Sequence, residues 1–347
     1  TVRSRGKLSY YAVDRYISGR YDELMSHSTP LETLYQIYRA LRSRREEQGL
    51  VMEDRQDFRW ILNENKQIET IEPSEKLLSQ KLVEECMVAA NQCAARFLTE
   101  HNASGPFVSH PGFRDDRRDE VNKFLTLHAP ELAALDTDSV AGYRDIMRGL
   151  SAPTSTLPLR TMVNRLLTRA VLTTKPSPHM GMALPSYTNC TSPLRKYSDF
   201  LVHLQIKAAL NGASAQLVDS KILAELMQRL AISRSATQEA ERWLASNYVS
   251  KIAKDNNAFK ATITHVTSSG FTARLNNNGL TGFVDLRKDP EKFSYDKWTA
   301  SLTSTTRRFT LDQAVDLSFI GVGQEVIYQT LFKPATDCGL KTLTEKI

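Results

Sequence analysis

The chain has 347 residues, of which 41% are hydrophobic and 24% charged, the composition of an ordinary globular protein. Its formal charge of +6 permits a polyanionic partner without requiring one. No apolar run approaches the roughly 20 residues that cross a bilayer, and the first residues lack a signal-peptide pattern, so we expect a cytoplasmic protein with no membrane contact. The four cysteines have no C-x-x-C spacing and are expected to be buried free thiols.

Helical periodicity dominates the chain up to about residue 255. Apolar residues at three-and-four spacing predict two early helices, within residues 7–17 and 31–48. A pair of strands joined by a turn at Asn63–Asn65 follows. The next predicted helix begins with a cap at Ser74 and extends to about residue 101. The residues expected on its inner face are Leu78, Leu82, Cys86, Met87, Cys93 and Phe97.

Further amphipathic helices are predicted within residues 114–128, 140–150 and 158–172, and one more near 217–250. The first of them opens with "RDDRRDE", which concentrates carboxylates. Because arginines are interleaved with these carboxylates, we interpret the segment as a solvated helix start rather than a metal cluster.

The pattern changes at about residue 256, where apolar and polar residues begin to alternate. The turn signals and strands that follow predict about five short antiparallel strands in about 90 residues, and an OB-type barrel is the commonest barrel of that size. Phe271 and Arg274 belong to a set of interleaved aromatic and basic residues suited to base stacking and phosphate attraction. Burial in the barrel core is the alternative for such phenylalanines.

The stretch "TSPLRKYSD", residues 191–199, has two cations where a helix is expected to begin. With Ser192 as the N-cap, the backbone N–H groups of the first turn would point outward. Arg195 offers a planar fork for phosphate oxygens and Lys196 a point charge. Thr191 or Ser192 adds a hydroxyl donor, so a bound phosphate is one explanation of the stretch.

The other explanation needs no ligand. Arg195 and Asp199 have the spacing of an i,i+4 ion pair, with Lys196 solvated, and spacing alone leaves both explanations open. His203, one turn past Asp199, is expected to be a partner of that carboxylate rather than a metal ligand.

Residues 177–203, "SPHMGMALPSYTNCTSPLRKYSDFLVH", resemble the hallmark segment of the ribonuclease II (RNB-type) family of exoribonucleases. That segment has His, an apolar residue and Gly, then Tyr, then Thr-Ser-Pro-Ile-Arg-Arg/Lys-Tyr, then Asp and His. Upstream, "LVEECMVAANQCAARFL" is similar to the family helix with paired glutamates, a small-residue run and an asparagine. The resemblance implies an α+β fold, in which residues 1–255 form the C-terminal part of an RNB-type catalytic domain, mostly helical with some strands. Residues 256–347 would form an OB-fold RNA-binding β-barrel.

The activity implied by the resemblance is processive 3′-to-5′ hydrolysis of single-stranded RNA to 5′-mononucleotides, with magnesium held by an aspartate cluster. By motif position, Arg195 would grip the phosphate next to the scissile bond. Glu84 would lie near the sugars of the 3′ end, where a carboxylate can accept a hydrogen bond from a 2′-hydroxyl. The alternative for Glu84 and Glu85 is one exposed and one salt-bridged helix carboxylate. The residues implied to line or brace the site are Tyr187, His179, Ser192, Lys196 and Tyr197.

The family's aspartate cluster, its N-terminal cold-shock-like barrels and the first part of its catalytic domain have no counterpart in this sequence. We therefore expect the magnesium ligands outside this chain, supplied by the missing N-terminal part of the same protein, and we expect a monomer. The isolated chain should bind RNA weakly and cut nothing. The alternatives are a naturally short, non-catalytic RNA-binding protein and an unrelated helical interaction module with a barrel appended.

Overall fold

The structure is a computed structural model that describes residues 3–4, 6–20, 24, 27–48, 56–152, 157–212, 218–323 and 329–335. The α-helices are α1 (Tyr10–Ile17), α2 (Ser28–Glu47), α3 (Leu78–Glu100), α4 (Arg118–His128), α5 (Val140–Gly149), α6 (Leu159–Val163), α7 (Tyr197–Leu210) and α8 (Ser220–Ile252). The β-strands are β1 (Asp57–Leu62), β2 (Ile68–Ser74), β3 (Phe107–Ser109), β4 (Val171–Thr173), β5 (Phe259–Thr267), β6 (Gly270–Leu275), β7 (Thr281–Asp285), β8 (Ser294–Asp296), β9 (Ser301–Thr303), β10 (Arg308–Thr310), β11 (Ala314–Val322) and β12 (Thr330–Pro334).

The described residues group into two compact units, and each is treated by itself. The helical unit is formed within Thr1–Asp54, Lys76–Ala152 and Leu166–Arg229. The barrel unit is formed within Arg55–Glu75, Pro153–Arg165 and Leu230–Ile347. Among the described helices, none is long and apolar enough to cross a membrane.

The N-terminus of α3 is capped by another helix of the helical unit. The Oδ1 atom of Asp14, on α1, accepts the backbone N–H of Leu78 at 2.6 Å and that of Ser79 at 3.4 Å. The Ser79 hydroxyl in turn donates to the carbonyl of Tyr10 at 2.7 Å. Because Asp14 accepts two of the free N–H groups of the first turn, it stabilises the start of α3 at Leu78. The predicted cap at Ser74 is wrong, since that residue lies in β2.

The buried face of α3 also differs from the predicted one. Among the predicted inner residues only Leu82 is buried. Of the two cysteines in that set, Cys86 is half-buried and Cys93 is exposed. The prediction of buried thiols is therefore wrong for Cys93, and Cys338 lies outside the described residues. Choosing the most apolar side selected the wrong face, since the true face contains polar residues that have partners inside. The buried residues are Ser79, Leu82, Glu85, Val88, Asn91, Ala94, Ala95 and Leu98.

The helix predicted over residues 158–172 is short. Only Leu159–Val163 is α-helical, a 3₁₀ turn follows at Asn164–Leu166, and Val171–Thr173 forms β4. This strand pairs antiparallel with β3. Val171 and Thr173 are β-branched and fit a strand well. Pairing with β3 therefore outweighs the weak helical pattern of this segment.

The barrel unit contains a closed barrel of five strands in the order β11-β12-β7-β6-β5. Neighbouring strands are antiparallel, except that β12 and β7 are parallel. Pairing of β11 with β5 closes the barrel, and β8, β9 and β10 form a separate small sheet. The predicted α+β fold, with helices followed by a small β-barrel, is confirmed.

The barrel is filled by apolar side chains, and hairpin β1–β2 packs against it through Phe58, Ile68 and Ile71. Phe271 is completely buried and packs on Phe309, with ring centroids 4.8 Å apart. A ring enclosed in this way has no face free for a base. The prediction that Phe271 stacks on RNA is therefore wrong. The side chains with no exposed surface are Ala261, Ile263, Phe271, Ala273, Val284, Leu302, Phe309 and Leu317.

Candidate functional site

The candidate site is built around the tight turn that precedes α7. The carbonyl of Ser192 accepts the backbone N–H of Arg195 at 3.2 Å and that of Lys196 at 3.0 Å. The helix itself begins only at Tyr197. The prediction that Ser192 caps the helix is wrong, so the two cations lie in a turn before α7 rather than in its first turn.

Asp199 explains the later helix start. It lies in the first turn of α7 and is 1% exposed, and its Oδ2 atom accepts the backbone N–H of Ser192 at 2.9 Å. Its Oδ1 atom accepts the Ser198 hydroxyl at 3.0 Å. A carboxylate here also suits the positive end of the helix dipole. No ion pair joins Asp199 to Arg195 among the described residues, so the predicted i,i+4 pair is wrong, whereas Lys196 is exposed as that explanation predicts.

The cations of the turn lie at the surface. Arg195 and Lys196 are exposed, and Tyr197 is 57% exposed. Thr191 and Ser192 are half-buried behind them. Within the described ranges, neither cation has a carboxylate partner. Two adjacent positive charges are therefore presented to solvent on a turn of defined conformation.

A buried hydrogen-bond network holds the loop that leads into this turn. Asn91 of α3 donates from Nδ2 to the Tyr187 hydroxyl and accepts at Oδ1 the backbone N–H of Cys190, both at 2.8 Å. On the other side, Nε2 of His203 lies 2.7 Å from the carbonyl oxygen of Cys190. His203 therefore bonds to Cys190, and its predicted partnership with Asp199 is wrong, because the oxygens of Asp199 accept hydrogen bonds from other donors. The network fixes the loop from two helices.

His179 lies in a row of rings. It stacks on His110 with ring centroids 5.6 Å apart and meets Tyr187 edge-on at the same separation. Burial and the neighbouring His110 lower the pKa of His179 to about 4, so its imidazole is neutral near pH 7. The Nδ1 atoms of both histidines are buried without a hydrogen-bond partner in the described part of the chain. His179 supports the loop by packing and brings no charge to an anion.

The two glutamates of α3 have different environments. Glu84 is partly exposed and forms an ion pair with Lys76. Glu85 is 2% exposed, and its Oε1 atom lies 2.6 Å from Arg45 Nη1 and 3.5 Å from Arg42 Nη1. Its Oε2 atom is buried without a hydrogen-bond partner among the described residues. Both carboxylates are thus ion-paired, and contact of Glu84 with a ribose stays a prediction.

Sequence reasoning did not find Arg45 and did not place Asn91 in the interior, whereas its alternative of a salt-bridged glutamate holds for Glu85. Glu85 and Asn91 each lie three residues from Val88, within the broad buried surface of α3. Polar residues at this spacing within an apolar face indicate interior partners, and that was the available signal.

The acidic segment of residues 115–120 does not form a metal centre. Within the described part of the chain, there is no group of three or more His, Cys, Asp or Glu side chains that could hold a metal ion. These residues therefore do not fit a magnesium site. Three of the segment's four carboxylates are paired with arginines instead, as Asp115–Arg118, Asp116–Arg114 and Glu120–Arg117, each at 2.8 Å.

The predicted site residues fall in two units. Arg274 is exposed on β6 of the barrel unit, and Phe271 of the same strand lies in the core. Those of the helical unit are Glu84, His179, Tyr187, Thr191, Ser192, Arg195, Lys196 and Tyr197.

Comparisons with known proteins bear on the family and the fold of this chain. Residues 1–212 match the model of the RNB domain. The chain is 31% identical over 287 residues to Exoribonuclease 2 of Yersinia enterocolitica and 30% identical over 288 residues to that of Shigella dysenteriae. Both alignments cover 82% of this chain and 44% of the relative. The chain therefore spans less than half the length of these relatives.

Two solved structures are similar in fold. Mycoplasma genitalium RNase R in complex with ribose-methylated single-stranded RNA matches with a TM-score of 0.71 and 16% identity, covering 94% of this chain and 53% of that one. Yeast Ssd1, described as a pseudonuclease, matches with a TM-score of 0.57 and 17% identity, covering 86% of this chain and 37% of that one. At these identities the likeness shows the shared fold alone.

Proposed function

Since this chain belongs to the RNB-domain family, we propose that it is the phosphate-gripping and RNA-binding part of an exoribonuclease acting on single-stranded RNA. The proposed reaction is processive hydrolysis from the 3′ end that releases 5′-mononucleotides. The observation that carries the proposal is the pair of exposed cations, Arg195 and Lys196, which have no carboxylate partner among the described residues and lie on the turn before α7.

The charge of the turn matches a phosphodiester. Arg195 and Lys196 contribute two positive charges and Asp199 one negative charge, so the local formal charge is +1 against −1 for each RNA phosphate. The guanidinium can donate two parallel hydrogen bonds to one phosphate, which makes the grip directional. Lys196 adds attraction without fixing geometry.

The buried network behind the turn fixes the backbone of the loop that carries Arg195 and so limits where its guanidinium can reach. Asn91 and His203 bind both backbone groups of Cys190, and Asp199 binds the N–H of Ser192. Donors whose positions are fixed before the substrate arrives stabilise developing charge without reorganisation. We propose that Arg195 acts on the phosphate next to the scissile bond for this reason, with Tyr187 and His179 bracing the loop.

Magnesium and the missing N-terminal part of the same protein belong to the proposal as partners. The described residues form no metal centre, so the ligands for magnesium would come from that part. This chain's own residues bind and orient the phosphate. Hydrolysis by the isolated 347-residue chain is not expected.

The proposal keeps the division into an RNB-type catalytic portion, residues 1–255, and an OB-fold RNA-binding barrel, residues 256–347. It is supported by the closed five-stranded barrel and the exposed Arg274, while residues 336–347 lie outside the described ones. A cytoplasmic location and a monomeric state remain predictions from the sequence.

The binding part of the proposal is tested with the 347-residue chain and a labelled single-stranded RNA, by fluorescence anisotropy. We expect salt-dependent binding, weakened at least fivefold in the double variant Arg195→Ala with Lys196→Ala. Arg229→Ala is the matched control, because Arg229 is an exposed arginine of α8 that pairs with Glu225. Equal affinity of the parent and the double variant would contradict the proposal.

A second candidate function is non-catalytic RNA binding. It is favoured by the exposed cations Arg195 and Lys196, which can bind a phosphate without cutting the RNA. Incubation of RNA with magnesium and the full-length protein that contains this chain separates the two. Shortening of the RNA supports the exoribonuclease, whereas binding without shortening supports the second candidate.

A further inference from the structure

The barrel unit contains a cleft of about 440 Å³ that the proposed phosphate site does not use. It lies between hairpin β1–β2, the C-terminal half of α8 and the strands β6, β7 and β12. A volume of this size is in the range of sites that bind small organic groups. The lining residues that bear on its chemistry are Trp60, Gln238, Arg242, Thr272, Phe283 and Gln329.

Strand alternation places an aromatic ring on the wall of this cleft. Along β7, Gly282 and Val284 are buried, whereas Thr281 and Phe283 face outward into the cleft. Trp60 of β1, which also lines the cleft, is half-buried. The cleft therefore has two partly exposed aromatic side chains from separate elements.

A glycine allows the hairpin that carries Trp60 to pack closely on the barrel. Gly279 has φ of 70° and lies under the ring of Phe58, so that a Cβ at this position would be 2.2 Å from Phe58 Cδ2. Only glycine combines this backbone conformation with this close approach. The wall formed by Trp60 is thus fixed by packing.

The polar groups of the cleft suit an uncharged ligand. Gln238 is exposed and Gln329 is half-buried in the lining, and each side-chain amide can donate and accept hydrogen bonds. Glu241 and Arg242 also line the cleft, and their charges cancel. A phosphate has no net attraction to such a lining, whereas a flat heterocycle with donors and acceptors on its edge matches both the rings and the amides.

An exposed cation lies beside the cleft. Arg274 is opposite Thr281 in the β6–β7 register and two residues from Thr272 on the same face of β6. Its side chain is exposed, with no carboxylate partner among the described residues. Positions two apart on a strand are about 7 Å apart, close to the distance between a base and its own phosphate.

We propose that this cleft binds one base of a single-stranded RNA, stacked against Phe283 and Trp60 and hydrogen-bonded by Gln238 and Gln329, with Arg274 on the adjoining phosphate. RNA as the source of the base rests on the proposed function of the chain. The base subsite itself rests on the cleft, and Phe283 takes the stacking role that the buried Phe271 cannot fill.

The first test follows Trp60 directly. The 347-residue chain is labelled with 5-fluorotryptophan, which gives one ¹⁹F resonance for each of its 3 tryptophans, assigned by single Trp→Phe variants. We expect titration with hexaadenylate to shift the Trp60 resonance to saturation and to leave that of Trp298 unchanged. Adenosine alone should shift the Trp60 resonance in the same direction at higher concentration.

The second test separates base from phosphate recognition. We expect the parent to bind hexaadenylate about tenfold more tightly than an abasic hexanucleotide with the same phosphates. The double variant Gln238→Ala with Gln329→Ala changes two surface amides and should lose most of this preference. Gln36→Ala, an exposed glutamine of α2, is the matched control and should retain it.

The outcomes distinguish this inference from the proposed function. If the parent binds both hexanucleotides equally, or binds RNA while the Trp60 resonance stays fixed, the base subsite is wrong and RNA binding elsewhere stands. If no RNA binds but adenosine shifts the Trp60 resonance, the subsite stands and the proposed function is wrong. If the N-terminal part of the protein shifts Trp60 and adenosine does not, the cleft is a protein interface and the inference is overturned.

Discussion

Asn91 of α3 donates a hydrogen bond of 2.8 Å to the hydroxyl of Tyr187, and both side chains are buried. The same amide accepts the backbone N–H of Cys190. One side chain therefore ties the central helix to the loop that leads into Arg195. The geometry of the exposed cations depends on a residue that itself need not touch a substrate.

Replacing Asn91 with alanine should lower the free energy of unfolding by about 2–4 kcal/mol, because the Cys190 N–H and the Tyr187 hydroxyl are both left without a partner inside the protein. Tyr187→Phe should cost about 1–3 kcal/mol, because the buried Nδ2 donor of Asn91 loses its acceptor. Urea unfolding of the two single variants and the double variant gives the coupling between them. Strictly additive losses would show that the hydrogen bond contributes nothing.

Glu85→Ala should destabilise the chain by about 3–5 kcal/mol, because the guanidinium of Arg45, only 8% exposed, is left without its carboxylate partner. Glu84→Ala is the matched control on the neighbouring position. Its ion pair with Lys76 is partly exposed, so the loss should stay within about 1 kcal/mol. Thermal or urea unfolding of both variants decides this, and equal losses would contradict the difference in environment.

Stability should fall in mild acid because of His179. Its pKa is about 4 in the folded protein and about 6.5 in an unfolded chain, so between these values the unfolded chain binds the extra proton. The contribution of the neutral imidazole is therefore complete above about pH 6.5 and is lost as the pH falls toward 4. The slope is at most about 1.4 kcal/mol per pH unit. Burial lowers the pKa of His110 in the same direction.

The variant His179→Phe keeps the ring packing and removes this titration. Urea unfolding at pH 5 and pH 7 should show a smaller stability difference for the variant than for the parent. His265→Gln, at an exposed position of β5, should leave the difference unchanged. An unchanged difference in His179→Phe would show that another group causes the acid sensitivity.

The order of helices and strands was largely predictable, because it depends on local periodicity. The face of α3 was not predictable in the same way. Glu85 and Asn91 are buried because they have partners in the interior. Glu85 pairs with Arg45, and Asn91 forms hydrogen bonds with Tyr187 and Cys190. These partners are far away in sequence. Burial of a polar residue is decided by tertiary partners, which no local pattern contains.

The turn at residues 192–196 shows the same limit at short range. Ser192 and the proline after it have the features of a helix start, yet Asp199 takes the Ser192 N–H and the helix begins at Tyr197. In the barrel, the alternation of apolar and polar residues predicted the strands but did not predict which phenylalanine rings face the core. Phe271 is enclosed and Phe283 lines the cleft, and that choice follows from closure of the barrel.

Arg195 has the strongest expected effect on chemistry. A phosphodiester held only by Arg195, Lys196 and backbone N–H groups is bound but not readily attacked, since none of these groups lowers the pKa of water. In the full-length protein that contains this chain, Arg195→Ala should lower the single-turnover rate on short single-stranded RNA by on the order of 10²-fold or more, as for a lost preorganised oxyanion donor. Affinity, measured separately, should weaken less. Arg195→Lys should restore little, because it lacks the bidentate fork, and Arg229→Ala should cleave at the parent rate. Cleavage by Arg195→Ala at the parent rate, or degradation of RNA by the isolated chain with magnesium, would show that these roles are assigned wrongly.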